Sequence, residues 1–352
     1  MPPCIGCSFA RKPPLLMSVR RYPDFWQHNN GLARALSPLS ALFELAARRR
    51  RQYYQANPSR TPALSAPVVV IGNLSVGGTG KTPLVNWLVG CAQELGFTPG
   101  VVLRGYGGRA VGPQRVSGDD SAEQVGDEAL LIARHTGVAV AIGRDRPAAA
   151  AQLINQAGVD LVISDDGLQH YRLVRDVELV VIDAERGLGN RRCLPAGPLR
   201  EGPNRLTEVD WVICNGAQST ECQGHFRLKP GPLRAVGNAP EKINPPQPGD
   251  SVVALAGIGH PERFFATLDA LGFHLEERPR PDHHHFRASD FAYLSGRAIV
   301  MTEKDAVKCA AIAPANCWQL PVVAEPDPAT ATQLRALLQT AAERFARRSA
   351  SA

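Results

Sequence analysis

Residues 68–83 read VVVIGNLSVGGTGKTP, and this segment constrains the fold more than any other. A run of β-branched apolar residues is followed by a glycine-rich turn and then by a stretch that can start a helix. Glycines 77, 78 and 80 let backbone N–H groups approach phosphate oxygens closely. Lys81 can reach the outer phosphates, and the Thr82 hydroxyl can ligate Mg²⁺. Pro83 falls in the first helical turn, where its missing N–H costs no hydrogen bond. The chain departs from G-x-x-x-x-G-K-[ST] in carrying Ser75 at the first glycine position. The match is therefore to the variant GGxGK[ST], and Val76 stands where some variant-loop ATPases carry a lysine. Ser75, Val76, Gly77, Gly78, Thr79, Gly80, Lys81 and Thr82 are the expected nucleotide-binding residues. A phosphate loop of this kind joins a buried strand to a helix, so the expectation is an α/β fold with a parallel sheet flanked by helices.

The rest of the chain agrees. Near-continuous apolar runs at 68–71, 100–103, 138–142, 160–163, 179–182 and 211–213 alternate with helix-length segments, as parallel strands covered on both faces require. The Pro-rich polar stretch 237–250 reads as a linker. Beyond it the runs 252–256, 298–301 and 319–323 and a helix over about 328–347 predict a smaller α/β unit. The chain's 352 residues suit two domains. The expected division is a disordered extension at 1–16, an amphipathic segment at 17–56, a phosphate-loop core at 57–236, the linker, and the smaller unit at 251–352.

Lys and Arg exceed Asp and Glu by six, which favours an anionic partner without choosing among nucleic acid, lipid and phosphorylated substrate. Nucleic acid is disfavoured, because aromatic residues are 6% of the chain and no stripe of alternating basic and aromatic residues appears. A phosphate-loop GTPase would carry a base-reading [NT]KxD, of which TEKD at 302–305 is only a partial echo. Within LARALSPLSALFELAARRRR (32–51), Leu32, Leu36, Leu39, Leu42, Phe43 and Ala46 recur at helical spacing. The segment is too short and interrupted to span a bilayer. With Arg48 to Arg51 behind it, it either lies on an anionic surface or docks on its own domain. The eight cysteines show neither a disulfide framework nor a zinc-site spacing, so reduced thiols are expected.

A kinase-type site needs carboxylates at the end of a strand beside the phosphate loop. Asp165 and Asp166, followed by Gln169 and His170, fit best. Asp183 reads equally as a cap, an ion-pair member or a functional acid. Asp127 opens a helix, either as a capping residue or as a base that takes a proton from an attacking hydroxyl. Of His283, His284 and His285, three in a row cannot face one way, so one functional imidazole is expected.

Taken together, SVGGTGKTP, RGYGG (104–108), VGDE (125–128), SDDGLQH (164–170), LPAGPLRE (194–201), GIGHPERFF (257–265), PDHH (281–284) and TEKDAVK (302–308) resemble the tetraacyldisaccharide 4'-kinase family, in the family's order and over about residues 20–345. The resemblance implies transfer of the ATP γ-phosphate to the 4'-hydroxyl of a tetraacylated glucosamine disaccharide 1-phosphate, giving lipid IVA. It implies a peripheral position on the cytoplasmic face of the inner membrane, with no nucleic acid and no obligate protein partner. Asp127 becomes the base, with His283 orienting it and raising its proton affinity. Thr82, Asp165 or Asp166, and Glu201 become the Mg²⁺ set, while Arg146, Gln169 and His170 face the acceptor or phosphates. No role falls to His260 or His285.

Overall fold

The computed structural model describes residues 23–237, 244–294 and 296–350. The extension at 1–16, with Cys4 and Cys7, lies outside them, as does part of the linker. A short helix, α1 (Gly31–Ala35), and a long one, α2 (Ser37–Ala56), lead into the core. The chain then lays down β1 (Val68–Gly72), α3 (Lys81–Glu94), β2 (Pro99–Leu103), β3 (Gln114–Val116), α4 (Ala122–Val125), α5 (Asp127–Thr136), β4 (Ala139–Ile142), α6 (Arg146–Ala157), β5 (Leu161–Ser164), β6 (Val177–Asp183), β7 (Trp211–Asn215) and β8 (Gly224–Pro230). Next come β9 (Arg234–Ala235), β10 (Ser251–Ala256), α7 (Pro261–Ala270), β11 (His274–Pro279), α8 (Ala288–Phe291), β12 (Ile299–Thr302), α9 (Glu303–Cys309) and β13 (Cys317–Leu320), and finally β14 (Val322–Pro326) and α10 (Pro328–Ala350).

The larger sheet has the order β14-β8-β7-β6-β1-β5-β2-β4-β3. It is parallel except at its edges, where β3 and β14 run antiparallel. Strand β1 shows why a continuous apolar run was needed. Val69 and Ile71 join one hydrophobic cluster with α3, α5 and α10, whereas Val68 and Val70 join another with α6. The order places β1 between β5 and β6, so the phosphate loop, Asp165 and Asp183 emerge at neighbouring carboxyl ends of strands. In open α/β sheets that is where ligands bind.

The smaller sheet has the order β11-β10-β12-β13-β9, and it corrects the expected domain division. The apolar run at 319–323 is not one strand. Pro321 separates β13 in the smaller sheet from β14, which pairs with β8 in the larger one. Helix α10 follows β14 back, burying Leu334, Leu337, Leu338 and Ala341 in the same cluster as Val69. The smaller unit is thus an insertion between β8 and β14. Its first strand, β9, precedes the Pro-rich stretch that was read as the boundary.

Two further expectations change. Cys214 and Cys222 are joined by a disulfide rather than reduced, because a short loop returns from the end of β7 to the start of β8. Cys91, Cys193, Cys309 and Cys317 are free and buried. Helix α2 docks, but through its polar side. Ser40 Oγ donates to the Cys193 carbonyl at 2.7 Å, and Arg192 donates to Ser37 Oγ at 2.6 Å. Leu39, Leu42, Phe43 and Leu45 are left exposed. Arg51, expected at a surface with Arg48 to Arg50, instead pairs with Glu208 at 2.6 Å and Glu201 at 3.6 Å. Among the described residues no helix is long and apolar enough to cross a membrane.

Candidate active site

The loop between β1 and α3 is shaped by two glycines with positive φ, Gly77 at 93° and Gly80 at 78°, a region L side chains rarely adopt. Two asparagines that sequence reading did not single out hold it. Asn73 Nδ2 donates to the Ser75 carbonyl at 2.6 Å and to that of Gly77 at 3.3 Å, while Asn215 Nδ2 donates to the Thr79 carbonyl at 3.1 Å. The LPAGPLRE segment braces the loop from outside, with Val76 N–H donating to the Pro198 carbonyl and Ser75 bridging to Leu199. Lys81 Nζ lies 3.1 Å from Asn73 Oδ1 and 3.3 Å from Asp166 Oδ1.

The two adjacent aspartates diverge because Asp166 takes a positive φ of 48°. Asp166 turns to Lys81 and to Arg200, whose Nη1 is 3.1 Å from its Oδ2. Burial would raise its pKa, but those two cations outweigh it and hold the carboxyl well below the usual range. Asp165 turns the other way, placing Oδ2 3.4 Å from Thr82 Oγ1. Its Oδ1 is buried without a hydrogen-bond partner. Burial pushes its pKa up to about 6, Lys81 opposing. A buried carboxylate with an unsatisfied oxygen beside a loop threonine suits Mg²⁺, which keeps waters and uses one or two carboxylates plus substrate phosphates. No group of three or more His, Cys, Asp or Glu that could hold a metal occurs among the described residues.

The remaining sequence candidates are differently placed. Glu201 Oε2 accepts from Tyr171 at 2.5 Å and lies 3.8 Å from Arg205 Nε, while its Oε1, like Asp165 Oδ1, is buried without a hydrogen-bond partner. Arg146 is buried and donates to Ser164 Oγ and the Asp165 carbonyl at 2.8 and 2.7 Å. It buttresses the end of β5. Gln169 is held by the Asn73 carbonyl and Arg200. His170 is kept neutral, its pKa lowered to about 4 by burial and by Arg146 and Arg175.

Asp127 is the first residue of α5, after Gly126, whose φ of 89° turns the chain sharply. A Cβ at Gly126 would sit 2.6 Å from the Tyr106 carbonyl of RGYGG. The Asp127 side chain is buried and its Oδ2 lies 3.1 Å from His283 Nδ1 across the boundary between the two units. His283 itself has a φ of 57° and packs its ring 5.1 Å from that of Tyr106. Lys304 of α9 bridges the same boundary, 3.2 Å from Glu128 and 4.0 Å from Asp282. The expected rise in Asp127 proton affinity is reversed. Burial works in that direction, but the His283 hydrogen bond and the Lys304 charge prevail and lower the pKa. Asp127 is therefore an ionised carboxylate at neutral pH.

Above the loop, Asp183 at the end of β6 is 1% exposed and wholly committed. Arg263 of α7 binds both its oxygens, at 2.5 and 2.8 Å, and Arg186 adds a contact at 3.0 Å.

Comparison with known proteins shows the family. The family model described as tetraacyldisaccharide-1-P 4'-kinase matches residues 32–339. A tetraacyldisaccharide 4'-kinase from Alkalilimnicola ehrlichii is 54% identical over 323 residues, covering 91% of this chain and 95% of that relative. One from Halorhodospira halophila is 52% identical over 307 residues, covering 86% and 92%. Among solved structures, LpxK from Aquifex aeolicus in complex with ATP superposes with a TM-score of 0.73 at 26% identity, covering 88% of this chain and 99% of that one.

Proposed function

This chain belongs to the tetraacyldisaccharide-1-P 4'-kinase family, ATP-dependent kinases of lipid A biosynthesis, and on that premise we propose which of its residues carry the transfer. ATP lies along Ser75 to Thr82, its phosphates against the loop amides and Lys81. Thr82 and Asp165 would hold Mg²⁺, which would supply charge neutralisation to the phosphates. The 4'-hydroxyl of the acceptor meets Asp127, which accepts its proton as the oxygen bonds to phosphorus. His283 orients the receiving carboxylate. Because Asp127 is a weak base before reaction, proton transfer follows rather than precedes bonding to phosphorus, in keeping with the loose transition state of phosphoryl transfer.

The observation that carries this reading is the 3.1 Å contact between Asp127 and His283, which only the meeting of the two units creates. With Mg²⁺ and ATP, and tetraacyldisaccharide 1-phosphate in detergent micelles, the protein is expected to add one phosphate at the 4' position. A phosphate placed elsewhere, or none from protein that still binds ADP, would sink the assignment.

The acyl chains of such an acceptor support a lipid surface as the place of reaction, and the use of ATP supports the cytoplasmic face of the inner membrane. Helix α2 suits that role by exposing Leu39, Leu42, Phe43 and Leu45 while its polar side is bonded to the core. Arg48 to Arg50 follow on the same helix. Replacing Leu42 and Phe43 together by Asp is expected to reduce co-sedimentation with anionic phosphatidylglycerol vesicles by about tenfold or more, since each buried apolar side chain contributes ~1.5–3 kcal/mol. Unchanged sedimentation would remove α2 from the membrane contact.

A further inference from the structure

We propose that Arg186 is a catalytic arginine acting in cis on the γ-phosphate of ATP, and that Arg263 of the smaller unit is the residue that positions it. This rests on ATP occupying the β1–α3 loop. The Arg186 guanidinium already lies on that loop: Nη2 donates to the Gly78 carbonyl, and a Cβ at Gly77 would come within 3.2 Å of Nη1. Its placement is built rather than incidental. Asp183 holds Arg186 at 3.0 Å, and His260 Nε2 is 2.8 Å from Nη1. Burial and the Arg186 charge lower the His260 pKa, so a neutral imidazole can accept from the guanidinium. The Asp183 carboxylate is in turn fixed by Arg263, which also reaches Glu185 at 2.6 Å.

The chemistry needs such a group. In the transfer, a bond forms between the acceptor's 4'-oxygen and the γ-phosphorus, and the bond from that phosphorus to the β–γ bridging oxygen breaks. ADP leaves with the electron pair, and the hydroxyl proton goes to Asp127. Negative charge accumulates on the γ-phosphate oxygens and the bridging oxygen. Lys81 is a single point charge that also faces Asp166, whereas a planar guanidinium offers a fork of donors to two oxygens at once. A polyphosphate in the loop would present Arg186 with charged acceptors in place of a backbone carbonyl. Two arginines on one buried carboxylate also make this arrangement dependent on the second unit. Arg263 and His260 come from the GIGHPERF turn, so the arginine and the Asp127–His283 pair are both completed only where the units touch.

The test uses the full-length protein, reading kcat and KM for ATP with the micellar acceptor, ADP affinity, and Tm. Arg186→Ala is expected to lose on the order of 100-fold or more in kcat while ADP affinity stays within about threefold. Millimolar guanidinium should restore part of the lost rate, and sodium should not. Arg186→Lys keeps the charge and stem, so it should retain Tm and ADP affinity yet remain slow. Arg263→Ala should lower kcat by about tenfold. Arg186→Ala or Arg186→Lys turning over within threefold of wild type would overturn the proposal. So would equal losses of kcat and ADP affinity without guanidinium rescue, which would make Arg186 part of the loop's scaffold. Wild-type protein that fails to bind ADP would instead overturn the reading on which the proposal rests.

Discussion

Asp127→Asn is expected to lower kcat by about 1000-fold while leaving ADP affinity within about threefold of wild type. The substitution keeps the shape of a buried side chain on the first turn of α5 but removes its capacity to take a proton. General base catalysis is worth ~10²–10⁴-fold in such steps. The nucleotide loop shares no hydrogen bond with Asp127, whose contacts run to His283 and to the Glu128 amide. His283→Asn should cost less, about 10–100-fold, because the imidazole orients the carboxylate without receiving the proton from the acceptor. Combining the two should cost little more than Asp127→Asn alone, since both act on one proton transfer. Equal losses of turnover and ADP affinity in Asp127→Asn would mark the residue as a structural start to α5. Full additivity of the pair would separate His283 from the base.

The second large effect concerns the adjacent aspartates. Asp165→Asn is expected to reduce kcat by on the order of 10³-fold and to abolish the gain in ADP affinity that Mg²⁺ provides. Asp166→Asn should preserve that gain, because Asp166 faces Lys81 and Arg200 rather than Thr82. Titrating a fluorescent ADP analogue with and without EDTA separates the two. If Asp166→Asn rather than Asp165→Asn loses the Mg²⁺ dependence, the ligand assignment is reversed. The reasoning is geometric: side chains one residue apart leave the end of β5 in opposite directions because Asp166 adopts a left-handed backbone. Nothing in the string SDDG indicates which of the two will turn toward the threonine.

Much of the site could nonetheless be read from the chain. The phosphate loop is local, since strand, glycines, lysine and threonine occupy sixteen consecutive residues. Asp127 and His283 were legible as chemical types, and the resemblance joined them although 156 positions separate them. Arg146 was legible only as a conspicuous arginine beside a Pro at a helix start; its contacts to Ser164 and the Asp165 carbonyl come from a strand end 18 and 19 residues away. Asn73, Arg200 and Arg263 lay inside quoted motifs without a role of their own, and Asn215 and Arg186 carried no usable signal. An asparagine at a strand end or an arginine in a loop is ordinary until its partners are known. Glu201 shows the same limit, because its neighbours Tyr171 and Arg51 come from distant segments.

Sequence alone determined the parallel α/β core, the nucleotide loop, the helix that leads into the core and the chemical class of the reaction, because those depend on periodicity and on contiguous residues. Tertiary structure alone decided three things. It returned β14 and α10 to the larger sheet, since an apolar helix face carries no address for the sheet it covers. It turned the polar side of α2 inward and left Leu42 and Phe43 outside, since partners for Ser40 and Arg51 lie more than 140 residues away. And it set the charge state of Asp127, because a carboxylate's proton affinity depends on the summed field of groups around it, here His283 and Lys304 brought from a different unit.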